Sequence, residues 1–126
     1  MKKSSEHLEQ AAFFDWCRLN EKNYPPLQWI HAIPNGGLRN KRIASKLKRE
    51  GVKSGVWDVY LPCPTTIGSR LNFCGLWLEF KYGYNKLTKN QILFGEYVKK
   101  MGYEAVVVYS AEEAIKAVKN YLKKNE

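Results

Sequence analysis

Asp58, Glu79 and Lys81 are the residues of this 126-residue chain whose types and spacing suit chemistry. Glu79 and Lys81 alternate inside GLWLEFKY (75–82), an otherwise apolar, β-prone stretch. Period-two geometry puts them on one face with Trp77, leaving Leu76, Leu78 and Phe80 to the core. Asp58 lies in VWDVYLP (56–62), a second predicted strand, on a face shared with Val56 and Tyr60. The connection between the two is polar, contains Gly and Pro, and is short enough for an antiparallel hairpin, which brings the three side chains to one surface. Hard divalent cations prefer oxygen ligands, and Mg²⁺ takes one or two carboxylates while keeping waters and substrate phosphate. Two acids and an ammonium meet the needs of phosphodiester hydrolysis: charge on the phosphoryl oxygens is stabilised and a water is activated. Taken alone, a Glu-x-Lys strand is equally a solvated face or an edge guard against aggregation.

The elements that must position these residues are legible as a series. Ser4 and Ser5 are candidate N-caps of a first helix through about Asn20, with Leu8, Ala12, Trp16 and Leu19 at helical spacing. Glu6, Glu9 and Gln10 sit together on the flank of that stripe. After NEKNYPP, LQWIHAI (27–33) reads as a short strand stopped by Pro34, and PNGG (34–37) as a turn whose glycines can take positive φ. LRNKRIASKLKREG is a basic helix with a short seam of Ile43 and Leu47, ending at Gly51. Beyond the two strands, Thr88 starts a helix carrying Leu93, Phe94, Tyr97, Val98 and Met101, which stops at Gly102. YEAVVVYS is a β-branched buried strand, and Ser110 with Glu113 forms a capping box for a last helix with Ala114, Ile115, Val118 and Leu122 inward. The strand–helix–strand run from 75 to 109 should be a parallel, right-handed βαβ unit. The order is α, β, basic α, β, β, α, β, α, without internal repeats.

Composition bounds the rest. The length predicts one domain over residues 1–126, and 44% hydrophobic with 26% charged residues describe a globular chain. Lys and Arg exceed Asp and Glu by 21 to 12, a net charge of +9, which suits a phosphate-rich partner. There is no apolar run long enough to span a bilayer, no lipidation motif, and no apolar core in MKKSSEHLEQ for a signal peptide. The expectation is a soluble, cytoplasmic protein without a membrane partner. Cys17, Cys63 and Cys74 lack metal-ligand spacing and suit reduced, small buried hydrophobes. His7 and His31 have no cysteine at ligand spacing and read as ordinary polar positions. Trp16, Trp29 and Trp77 follow the core pattern, whereas Trp57 lies beside Asp58, where a nucleic acid could reach it.

GVWD (55–58), LEFK (78–81) and LTKNQ (87–91) together resemble the VRR-NUC domains, a branch of the restriction-endonuclease-like PD-(D/E)xK nucleases with the signature G-x-P-D, then E-x-K, then Gln. Glu6-x-x-x-Gln10, PNGG with Arg39, and GYEAVVVYSAEEA resemble the short stand-alone members found in phages, so the likeness spans nearly the whole chain. It implies an α/β fold with a restriction-endonuclease-like core of αβββαβ type, a mixed central sheet flanked by helices. It also implies a Mg²⁺- or Mn²⁺-dependent endodeoxyribonuclease. By the same likeness Asp58, Glu79 and the Phe80 carbonyl would hold the metal, Lys81 would act near the attacking water, Gln91 would support water or phosphate, and Glu6 would be the first-helix acid. Glu9 rivals Glu6 for that place. The chain departs from the pattern at Trp57, where the family has proline, and the loop geometry there is what the departure touches.

Alternatives accompany several of these readings. Thr88-x-x-Gln91 is itself a capping box, and Glu6 with Gln10 equally suits an exposed first-turn pair. PNGG is a plain turn or, with Asn35, Arg39, Lys41 and Arg42, a phosphate-contacting loop; Lys46, Lys48 and Arg49 are a solvated face or a further attraction for DNA. Stand-alone members resemble Holliday-junction resolvases, so the implied function is structure-selective cleavage of branched DNA by a homodimer, in the cytoplasm of a host cell if phage-encoded. Tyr, Phe or Ile positions within 60–73 are the interface candidates. The alternatives are a basic DNA-binding module without turnover and a nuclease of ordinary duplex, flap or RNA ends.

Overall fold

The computed structural model describes residues 2–34 and 40–125. Its elements are α1 (Lys2–Leu19), a 3₁₀ turn (Pro25–Gln28), β1 (His31–Ala32), α2 (Lys41–Arg49), β2 (Val59–Leu61), β3 (Thr65–Ile67), β4 (Arg70–Phe73), β5 (Leu76–Phe80), α3 (Lys89–Lys100), β6 (Glu104–Val108) and α4 (Ala111–Lys123). Four strands form one mixed sheet in the order β1-β2-β5-β6. β1–β2 and β2–β5 are antiparallel, and β5–β6 is parallel across α3. This is the expected α/β architecture, a mixed sheet flanked by helices.

One face of the sheet carries the core. Leu76, Leu78 and Phe80 of β5 pack with Val59, Leu61 and Val108 beneath α1 and α4, which supply Phe13, Cys17, Ala114, Val118 and Tyr121. α3 covers the other face, where Phe94 meets the Trp77 ring edge-on at 5.0 Å between centroids. Period-two alternation in LWLEF therefore sends Leu76, Leu78 and Phe80 towards α1 and α4, as their sequence pattern predicts, and Trp77 and Glu79 towards α3.

Several boundaries differ from the sequence reading. LQWIHAI contributes only His31–Ala32 to the sheet, because Pro25 and Pro26 occupy the first positions of a 3₁₀ turn that buries Leu27. VWDVYLP narrows to Val59–Leu61, and the connection to β5 holds a small β3–β4 hairpin turned at Gly68, which has a φ of +61°. β6 is an edge strand, so only Val108 of its run is fully buried. α1 begins by Lys2 and already includes Ser4 and Ser5, which are therefore not its caps.

Two helix faces are rotated from the predicted stripes. In α1, Leu8 and Leu19 are exposed, and the inward line is Glu6, Glu9, Gln10, Phe13 and Cys17. In α3, Leu93, Tyr97 and Met101 are exposed, while Gly95 and Val98 are buried. Both misreadings follow from counting every apolar residue as inward; the inward line of α1 instead continues through acids that have a polar destination. α4 faces as expected, with Tyr121 added.

The rotated face of α1 is open to test by urea unfolding. Phe13→Ala should cost about 3–5 kcal/mol, whereas Leu19→Lys should stay within about 0.5 kcal/mol of the wild-type protein. Equal effects would return Leu19 to the core.

Candidate active site

The site forms where β2 and β5 separate. Their ladder ends at the pair Val59 and Leu78, although β5 continues to Phe80. At Asp58 the chain turns: its carbonyl still accepts from the Ile33 amide at 2.7 Å, but its own amide donates to Glu79 Oε1 at 3.1 Å. The reciprocal bond runs from the Phe80 amide to Asp58 Oδ2 at 2.9 Å. Each carboxylate thus fills a backbone position that a continued ladder would have taken. Because the neighbouring Lys81 amide bonds β6 at Val108, the Phe80 peptide faces the other way, towards this gap.

Glu79 is 3% exposed and held at both oxygens. Gln91 Nε2 donates to Oε2 at 2.9 Å, and Lys81 Nζ lies 3.7 Å from the same oxygen with its side chain 11% exposed. Gln91 also closes the expected capping box: its Oε1 accepts from the Thr88 amide at 2.9 Å, and Thr88 Oγ1 accepts from the Gln91 amide. One side chain serves both uses, since the amide has separate donor and acceptor ends.

Burial and then repulsion from Asp58 push the Glu79 carboxyl up to about 8, against the pull of Lys81. Asp58 is also raised, first by burial and further by Glu6, although the Phe80 amide, Glu79 and Lys81 act in the opposite sense. Two carboxyls lie beside each other, Glu79 buried and Asp58 half-buried, so ionising both is unfavourable. A dication is the partner that relieves this, and the donor set fits one: two carboxyls and a carbonyl edge are all-oxygen ligands suited to Mg²⁺ or Mn²⁺. Among the described residues no group of three or more His, Cys, Asp or Glu side chains is arranged to hold a metal. The fit therefore rests on the carboxyl pair.

The two first-helix acids have separate destinations. Glu6 Oε2 accepts from Asn85 Nδ2 at 3.2 Å, and its charge reaches Asp58. Glu9 Oε1 instead accepts from the Ala111 amide at 2.7 Å, capping the first turn of α4. Ser110 accepts from the Glu113 amide there, and Glu113 reaches the Tyr109 amide rather than closing a full box. Asn85 escaped the sequence reading; it also accepts at its carbonyl from Tyr109 Oη at 3.1 Å, and its position in GYNKLT gave no signal beyond a turn.

Trp57 is 2% exposed, so it is not a surface that DNA reaches from solvent. Its indole Nε1 donates to the Gln91 carbonyl at 2.9 Å. Lys41, Arg42, Lys46 and Lys48 lie on α2, which buries no residue and has Asn40 as its N-cap. Asn35 and Arg39 lie outside the described residues. All three cysteines are free.

Comparison with solved structures supplies a match. The chain superposes on a VRR_NUC domain protein with a TM-score of 0.78 and 27% identity, over 97% of this chain and 91% of that chain. The chain is thus similar to that VRR_NUC domain protein over nearly its whole length. No family model matches it, and no curated protein does. At the expected G-x-P-D position this chain has GVWD, with Trp57 directly before Asp58. Among the described residues no helix is long and apolar enough to cross a membrane.

The raised carboxyls set a pH dependence for the metal-free protein. Between the ordinary glutamate range and about 8, the folded chain retains a proton on Glu79 that the unfolded chain has released, so stability falls as pH rises through that interval. Melting in chelator should give a higher Tm at about pH 5.5 than at about pH 8.5, and Glu79→Gln should remove most of the difference. A slope unchanged in the variant would show that other groups set it.

Proposed function

We propose that this protein is a metal-dependent endonuclease that hydrolyses phosphodiesters in branched DNA, such as a four-way junction, as a cytoplasmic homodimer of one-domain chains. The nuclease-type function is supported by the likeness to the VRR_NUC domain protein. The finer reading is carried by one observation: the buried Glu79 carboxyl lies beside the half-buried Asp58 carboxyl, with the Lys81 ammonium held 3.7 Å from Glu79 Oε2.

Asp58, Glu79 and the Phe80 carbonyl would hold Mg²⁺ or Mn²⁺. When bound, such an ion supplies charge for the phosphoryl oxygens and lowers the pKa of water. The side chains do the rest. Glu79 is fixed through Asp58 N–H and Gln91 Nε2, so its oxygens keep one orientation without reorganising during the reaction. Lys81, little exposed on the Glu79 side, orients the attacking water or neutralises charge developing on a phosphoryl oxygen. Gln91 keeps a second amide hydrogen for water or phosphate. Glu6, held by Asn85, adds the first-helix acid, while Glu9 is spent on the α4 cap.

Substrate capture falls to α2, whose Lys41, Arg42, Lys46, Lys48 and Arg49 stand in nine residues without an acid, together with Asn35 and Arg39 ahead of it in the sequence. Their attraction to phosphate is electrostatic and sequence-independent. The apolar surface for a dimer includes Ile67 and Leu71 on the β3–β4 hairpin, 67% and 62% exposed, inside the 60–73 stretch.

Cleavage of labelled four-way junction, duplex and single strand in Mg²⁺, Mn²⁺ and EDTA tests the proposal. Paired symmetric nicks confined to the junction and to metal are expected; binding without scission at any metal concentration would instead make this a DNA-binding module. Asp58→Asn and Lys81→Ala should abolish cleavage with junction binding retained, and full activity in either overturns its assignment. Glu6→Gln should slow cleavage, whereas Glu9→Gln should chiefly lower stability, by about 1 kcal/mol for the missing cap.

Replacing Lys41, Arg42, Lys46 and Lys48 together by Gln should flatten the dependence of log affinity on log salt by about 0.9 for each phosphate that is no longer neutralised. An unchanged slope would remove α2 from the interface.

A further inference from the structure

Trp57 stands where the family's motif has proline, and its surroundings give it a task that proline cannot perform. The indole lies between the turn leading to Asp58 and the first turns of α3. Its Nε1–H donates to the carbonyl of Gln91, at 2.9 Å. One turn further along α3, Gly95 presents bare backbone to the ring: a Cβ there would lie 2.7 Å from Trp57 Cζ2. Glycine inside a helix costs about 1 kcal/mol relative to alanine, and here it makes room for the indole.

The same junction is built from the loop side. Gly55, at a φ of +96°, sits so close to α3 that a Cβ would meet the Asn90 carbonyl oxygen at 2.6 Å. Asn90 Nδ2 also donates to Ser54 Oγ at 3.1 Å. The loop 54–57 therefore grips α3 at residues 90, 91 and 95. Gln91 and Asp58, at opposite ends of this grip, bond the two oxygens of Glu79.

We infer that Trp57 is a positioning residue that, seated on Gly95, sets the distance of the Gln91 amide from the Asp58–Glu79 pair. A shift of α3 relative to the loop would carry Gln91 off Glu79 Oε2 and release the carboxyl from one of its two fixed partners. Misplacement on the order of 1 Å is enough to slow an oriented reaction about 100-fold. The inference rests on the nuclease reading for its kinetic readout alone; the packing of Trp57 on Gly95 and its bond to Gln91 stand without it.

The test is a cycle of Gly95→Ala, Trp57→Phe and the double variant, with two readouts. The first is the ¹H–¹⁵N resonance of the Gln91 side-chain amide in metal-free protein. The second is the single-turnover cleavage rate on junction DNA, with junction affinity and Tm alongside. In Gly95→Ala the methyl displaces the indole, so the Gln91 amide resonance should move and cleavage should slow by about 10- to 100-fold, with junction affinity unchanged. In the double variant the smaller phenyl ring vacates the methyl's space, so the rate and the resonance position should return to those of Trp57→Phe alone.

A Gly95→Ala protein with an unmoved Gln91 resonance and full rate overturns the inference. So does a slower rate explained by a Tm below the assay temperature while the Gln91 resonance stays in place, or a double variant no better than additive. Should Gly95→Ala not fold, Trp57→Phe alone, which removes the N–H donor, must still shift the resonance; no shift sinks the idea. Should the wild-type protein cut no DNA, the nuclease reading fails, and the resonance cycle still decides the role of Trp57.

Discussion

The parting of β2 from β5 beyond Val59 and Leu78 is the constraint on which the site depends. Backbone groups at a splayed strand end must find partners, since a buried unpaired amide costs roughly what a broken hydrogen bond does. Here the partners are the two carboxylates, Glu79 for the Asp58 amide and Asp58 for the Phe80 amide. The fold thereby gives each acid a structural reason to be where it is. The repulsion between them is the consequence, and it is unfavourable until a cation or a proton enters.

The other elements read as supports for that gap. α1 and α4 press on the apolar side of β5 through Phe13, Cys17 and Val118, and fix its height. On the opposite side α3 is aligned by its capping box, so its first turn delivers the Gln91 amide to Glu79. Glu9 links α1 to the start of α4 and leaves Glu6, less than one helical turn away, to face Asn85 and the site. Two acids three residues apart on one helix thus divide between holding the scaffold and charging the site, a division that their spacing alone does not reveal.

Much of this was legible in the sequence, for reasons that differ by residue. Leu76, Leu78 and Phe80 announced the core face because strand periodicity is strict, and Thr88 and Gln91 announced a helix start because capping requires those side chains. The mixed sheet, and Asp58 with Glu79 and Lys81 on one surface, followed from the order of the motifs. The inward faces of α1 and α3 did not, since an amphipathic stripe is blurred wherever apolar residues such as Leu19 or Tyr97 lie outward. Nor did the partners of Glu6 and Glu9, which come from loop residues and helix ends distant in sequence. The β3–β4 hairpin was missed although Thr65, Thr66 and Ile67 ahead of Gly68 carry its signal; the polar character of the segment concealed it.

Trp57 shows why a departure from a motif has to be interpreted through packing. A proline before Asp58 would fix φ of the chain entering the site by its own ring. Tryptophan leaves that dihedral free and restricts the chain from outside instead, through an indole that is 2% exposed and hydrogen-bonded to α3. The constraint is a tertiary one, which requires a complementary residue elsewhere: a glycine at position 95, where any side chain would meet the ring. Local rigidity holds one residue; tertiary packing holds two elements in register. In this chain the approach of the Asp58 loop is therefore coupled to the placement of Gln91, so the geometry around Glu79 is set jointly by both sides of the gap.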